Sequence, residues 1–331
     1  MASLEKTTEG IPRHMTSMVP PLACLFGVVV LLSSVTPVIK YVFQYSHVQP
    51  IGLASFRVMI GFLLLLAMTW LWDRRGLLSL AARDLLWLGF IGILGVFSYS
   101  IAAWGLMHTT VVHYALIYGL LPSVTAALSV LFGHDRICLP KAVGILFSLV
   151  GCIVALSVAH PDEASIHFGD WFVLLFTVMM SAHIVFSSGI VKRFGVMVSN
   201  TVMFGSSSLL LSLASICWSD SVQNDTSPLI MLSMFYIGCA TAAVFLLRCR
   251  SLQFLSPATV GTYHNLIPVC TVMLAYACLD ESLGVGTMLG GLMVLIGAEV
   301  VRRPQLLSLT ALYWAKSPVL SDLQRRKESI T

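Results

Sequence analysis

The sequence predicts an all-α membrane protein of ten transmembrane helices arranged as two inverted five-helix repeats. Three observations predict it: apolar residues gathered in helix-length segments, basic residues confined to one side, and an internal match at a fixed offset. Of 331 residues, 57% are hydrophobic and 10% charged, with a mean hydropathy of +0.90. Ordinary soluble domains have roughly 45–50% apolar and ~25% charged residues, and no soluble core absorbs this excess. Membrane β-barrels would show a weak alternation over segments of about ten residues instead.

In chain order the apolar segments run 19–39, 50–72, 85–107, 111–133, 141–158, 170–191, 197–218, 228–247, 254–279 and 282–301. Each is about long enough to cross a ~30 Å hydrocarbon layer as a helix. Residues 1–18 are polar with both signs of charge, unlike a signal peptide, so the first segment is expected to remain as a membrane span. Asp73, Arg74 and Arg75 are expected to stop the second segment. The third and fourth are divided only by His108, Thr109 and Thr110, a boundary that rests on 85–133 being too long for one crossing. Ser256 and Pro257 make a cap and first-turn signal for the ninth. The eight cysteines are scattered, mostly in apolar segments, and form no CxxC pair.

Lysine and arginine are retained on the cytoplasmic side of short loops. With the N-terminus inside, 17 of the 19 basic residues fall in the cytoplasm; Lys40 lies outside and Arg57 within the second helix. One missed crossing would invert every later loop, so this split supports the helix count and puts both termini in the cytoplasm. The expected organisation is a cytoplasmic segment 1–18, a first repeat 19–158, a second repeat 170–301, and a basic tail 302–331 at the membrane surface.

Shifting residues 91–151 by 146 positions aligns Ile91 with Ile237, Gly92 with Gly238, Pro122 with Pro268, Thr125 with Thr271, Asp135 with Glu281, Gly144 with Gly290 and Gly151 with Gly297. A unit with an odd number of helices re-enters the membrane from the opposite side, which gives the inverted repeat of many transporters. The run Ala115-Leu-Ile-Tyr-Gly-Leu-Leu-Pro122, then Gly133, Asp135, Arg136, Gly144 and Gly151, resembles the EamA-like ten-helix branch of the drug/metabolite transporter superfamily. A second copy reads Leu255-Ser-Pro257-Ala258, Asn265-Leu-Ile-Pro268, Asp280, Glu281, Gly290 and Gly297. The resemblance extends from about 19 to 303, and Asp135 departs from it only in replacing a glutamate. It implies a monomer or weak homodimer that carries a small metabolite, with helices 1–4 and 6–9 around a central cavity and helices 5 and 10 outside.

On helix 4, Tyr114, Tyr118, Thr125 and Ser129 recur at spacings of four, seven and four, so they share one face. His264 and Thr271 repeat the seven-residue step on helix 9 beside Asn265. Two matched polar stripes suggest opposite walls of a cavity for a small polar ligand, or interhelical hydrogen bonds that only hold the bundle together. Pro122 and Pro268 are expected to kink helices 4 and 9 and free carbonyls at mid-membrane, as hinges or as plain bends. Arg57 could snorkel to the outer interface or bind an anionic group of the substrate, and His183 is a weaker candidate. Gly144, Gly151, Gly286, Gly290 and Gly297 suit close helix packing within the chain.

The expected function is a secondary transporter, or permease, that moves a small polar metabolite such as an amino-acid-like compound or drug by rocking its two halves. A membrane receptor or scaffold would not require the repeat. An intramembrane enzyme would need a nucleophile with its base, or a metal cluster. Residues 205–208, Gly-Ser-Ser-Ser, lack the GxSG form, and neither HExxH nor GxxxxGK[ST] occurs. The sequence therefore predicts no catalytic residues, cofactor or metal; its expected partners are the substrate and the lipid bilayer, with no nucleic acid. A bacterial cytoplasmic membrane is the expected location.

Overall fold

The computed structural model describes residues 20–133, 138–157, 166–217, 227–254, 266–279 and 284–303. The described helices are α1 (Pro21–Tyr45), α2 (Pro50–Leu78), α3 (Ala82–Val96), α4 (Ser98–Met107), α5 (Val111–Tyr118) and α6 (Leu121–Leu131). They continue as α7 (Leu139–Ser157), α8 (Phe168–Phe194), α9 (Val196–Cys217), α10 (Pro228–Phe254), α11 (Leu266–Leu279) and α12 (Val285–Arg302). Among the described residues, nine stretches are long and apolar enough to cross a membrane, with α3–α4 and α5–α6 each forming one; α11 is a shorter apolar helix. Spans one to ten are thus α1, α2, α3–α4, α5–α6, α7, α8, α9, α10, α11 and α12.

Local sequence explains most of the boundaries. Pro21 and Pro50 open α1 and α2, where a missing N–H costs nothing. The third and fourth spans separate because the Thr110 side chain accepts the His113 backbone N–H and caps α5. Asp73 breaks the second helix where the charge cluster suggested a stop. It leaves helical geometry (φ −142°, ψ 43°), and its carboxylate accepts the Gly76 N–H at 3.1 Å, which starts a further turn that runs to Leu78. Two spans are interrupted midway, the third at Phe97 and the fourth at Gly119–Leu120 just before Pro122, where the backbone angles stay helical but the hydrogen bonding tightens to three-residue steps.

The two halves interdigitate. Span 1 packs on spans 8 and 9, and, at the symmetry-related positions, span 6 packs on spans 3 and 4. Span 2 meets span 8 as span 7 meets span 3, while spans 2 and 7, 4 and 9, and 5 and 10 pair with their own counterparts. This is the pattern of a two-fold axis in the membrane plane relating inverted repeats. It is sharpest between α7 and α12, where an added Cβ would stand 2.8 Å from a facing backbone oxygen at both Gly144 (Gly297 O) and Gly151 (Gly290 O). Exchanging the repeats turns one contact into the other. The glycine stripes are therefore used inside the chain. Large side chains such as Leu63, Leu71, Leu86, Phe90 and Leu146 lie exposed on the outside, as lipid contact allows.

Candidate functional site

Arg57 lies on α2 and is only 8% exposed. Its Nε donates to the Thr241 hydroxyl of α10 at 2.7 Å, and its guanidinium carbon sits 4.4 Å from the centre of the Tyr99 ring of α4. Arg57 is thus held inside the bundle by spans 3 and 8, and the snorkelling alternative does not describe its place. Among the described residues no carboxylate forms an ion pair with it. Thr241 Oγ in turn donates to the Ile237 carbonyl, which leaves its lone pairs for the guanidinium.

An aromatic wall continues from Tyr99. Phe176 of α8 is fully buried, its ring centre 5.9 Å from that of Tyr99, 6.1 Å from Tyr114 and 5.7 Å from Tyr118. Tyr114 and Tyr118 lie nearly parallel at 6.2 Å, as the four-residue spacing on one helix face requires. One cation and a set of offset rings therefore converge from spans 2, 3, 4 and 6, with the Thr241 hydroxyl from span 8. Such a place can bind an anionic group through the guanidinium and an apolar or aromatic body through the rings.

Of the residues singled out in the sequence, Arg57, Tyr114 and Tyr118 come together here. Thr125 lies two turns beyond Tyr118, and its buried hydroxyl has no hydrogen-bond partner among the described residues. Thr271 is buried on α11, and Pro122 and Pro268 stand in the first turns of the described helices α6 and α11. His183 pairs its Nδ1 with the Ile91 carbonyl of α3 at 3.0 Å, a contact between two spans. His264, Asn265, Asp135, Glu281, Ser256, Pro257 and the tail from residue 304 on lie outside the described residues. Tyr99, Phe176 and Thr241 were missed, since each stands alone on its own helix without a polar stripe to mark it.

Two further clusters tie α8 to the first repeat at opposite ends. Arg193 pairs with Asp84 of α3 at 3.5 Å. At the other end Asp170 accepts from the Thr109 hydroxyl and lies 3.1 Å from His113 Nδ1, with His167 alongside. Neither histidine nor Asp170 was recognised from spacing, which disclosed no metal-ligand pattern. The signal present was His167-x-x-Asp170 before an apolar run, the form of a helix cap.

The model of the EamA-like transporter family matches residues 20–157 and again 167–303. An uncharacterized transporter of Bacillus subtilis, YyaM, is 25% identical over 236 residues, covering 65% of this chain and 73% of its own length. An uncharacterized transporter of Archaeoglobus fulgidus is 25% identical over 270 residues, covering 80% of this chain and 92% of its own. A solved crystal structure aligns over 85% of this chain and 95% of its own with a TM-score of 0.61 and 18% identity, a likeness of fold alone.

Proposed function

Because the chain belongs to the EamA-like transporter family, we propose that it is a secondary transporter for a small metabolite carrying a carboxylate or similar anionic group, moved by alternating access. The buried Arg57, facing Tyr99 and bonded to Thr241, is the observation that carries this reading. A charge inside the bundle without a paired acid among the described residues suits a ligand that brings the acid. The Tyr114, Tyr118 and Phe176 rings would hold the rest of the molecule, so amino-acid-like compounds are the favoured class. The Pro122 and Pro268 regions are proposed as hinges, with Thr125, Thr271, Asn265 and His264 as further wall residues. The proposal includes a bacterial cytoplasmic membrane, both termini inside, and a monomer or weak homodimer.

The test is uptake by proteoliposomes of a labelled panel of amino acids, their N-acyl derivatives, organic acids and amines. Saturable counterflow of a carboxylate-bearing compound is expected, and its uncharged amide should compete poorly. Equal transport of acid and amide would remove the anion from the proposal.

A further inference from the structure

His113 in the first turn of α5, His167 just before α8 and Asp170 in the first turn of α8 converge at the helix starts, at one end of the bundle. Their ligand-type atoms all lie within 4.8 Å of one another. His113 Nδ1 is 3.1 Å from Asp170 Oδ2 and 3.3 Å from His167 Nδ1, and His167 Nδ1 is 4.0 Å from the same carboxylate oxygen. A tetrahedral ion with metal–ligand bonds of about 2.0–2.2 Å needs ligand atoms roughly 3.3–3.6 Å apart. The triangle's edges of 3.1, 3.3 and 4.0 Å bracket that size, so only the His167–Asp170 edge has to close, by a small turn of the half-exposed His167 ring.

The donor chemistry points the same way. Two imidazole Nδ1 atoms facing each other can share one proton at most, and the nearer also faces a carboxylate. Three converging lone pairs are better satisfied by a cation than by one another. His113 and Asp170 are buried, while the His167 side chain keeps 35% exposure, which leaves an approach for an ion and a position for water. The surroundings hold the ligands in place: Thr109 donates to the other carboxylate oxygen, and Lys40 Nζ donates to the carbonyls of Thr109 and Leu106. We propose that His113, His167 and Asp170 form a divalent transition-metal site of the zinc class, with water as the fourth ligand. It would join the two family matches, because His113 lies within residues 20–157 and the other two ligands within 167–303.

The alternative is a helix cap alone, since the His167 N–H already donates to Asp170 Oδ2 at 2.9 Å. The experiment uses the full chain in detergent, free of any histidine tag and stripped with chelator. Co2+ is titrated while its visible absorption is followed, then displaced with Zn2+. One equivalent with a tetrahedral spectrum is expected, lost on Zn2+ addition, together with a Zn2+-dependent rise in Tm. His167→Gln alters the most exposed ligand and should weaken binding tenfold or more at unchanged metal-free Tm, whereas His47→Gln, at an exposed position elsewhere, should bind as the wild type does. Absence of stoichiometric binding by the wild type would leave only the cap. Undiminished binding by His167→Gln would put the ion elsewhere, and either result overturns the site.

Discussion

A guanidinium deep in a transmembrane helix costs roughly 2.5–3.5 kcal/mol on insertion scales, so Arg57 needs compensation from what surrounds it. Thr241 supplies one hydrogen bond and Tyr99 a ring face, the latter worth about 0.5–2 kcal/mol depending on desolvation. Arg57→Lys keeps the charge but loses the planar fork and the stacking. It should weaken transport by roughly 10- to 150-fold, the 1.5–3 kcal/mol of a hydrogen bond to a charged group. Normal kinetics in a well-inserted Arg57→Lys protein would detach the residue from binding. Tyr118→Phe leaves the ring on Phe176 and removes only a hydroxyl, so a loss of about 5- to 150-fold with unchanged expression is expected if that hydroxyl meets the substrate. At this scale the sequence was informative only along single helices. Tyr114 and Tyr118 were legible because four residues make about one turn, and Arg57 because charge in an apolar run is conspicuous. Tyr99, Phe176 and Thr241 become meaningful only where three helices meet, and the 146-residue offset does not encode that.

At the scale of elements, the proline at 122 was expected to kink the fourth span, and the helix is interrupted just ahead of it. Pro122 cannot donate to the Tyr118 carbonyl, so α5 closes through Gly119 and Leu120, whose N–H groups reach Ala115 and Ile117, and α6 begins afresh. The interruption of the third span at Phe97 carried no proline signal. There Ser98 and Ser100 bond to the carbonyls of Gly95 and Phe97, the local competition that serine offers a helix. Glycine positions were easier to interpret, because close approach leaves no other residue. Gly151→Ala would place its Cβ 2.8 Å from the Gly290 carbonyl and force α7 and α12 apart. About 1–3 kcal/mol of destabilisation is expected, measured as a lower Tm in detergent, and Gly144→Ala should act alike through Gly297. A Tm unchanged in both variants would mean that the α7–α12 contact adds little to stability.

For the whole molecule, the symmetric pairings mean that the sequence halves are not themselves compact bodies. Spans 1, 8 and 9 form one group and spans 6, 3 and 4 its counterpart, with spans 2 and 7 between them and the α7–α12 pair as a further joint. The repeat offset and the basic-residue bias made the inverted architecture legible, but pattern along the chain cannot reveal which helices exchange partners across it. Beside the sequence-based expectation of two rocking halves, this packing supports a proposed motion of the exchanged groups. Within one group, Ser34 Oγ of α1 and the Tyr236 hydroxyl of α10 stand 2.5 Å apart. Between the groups, Lys40 of α1 reaches the carbonyls of Leu106 and Thr109 beside α4. In a background with the native cysteines replaced, paired cysteines at 34 and 236 should be joined by a short thiol cross-linker with transport retained. The same linker at 40 and 109 should stop transport until it is cleaved by reductant. If the 34–236 link alone arrests transport, or the 40–109 link leaves it intact, the groups move along other boundaries than those proposed.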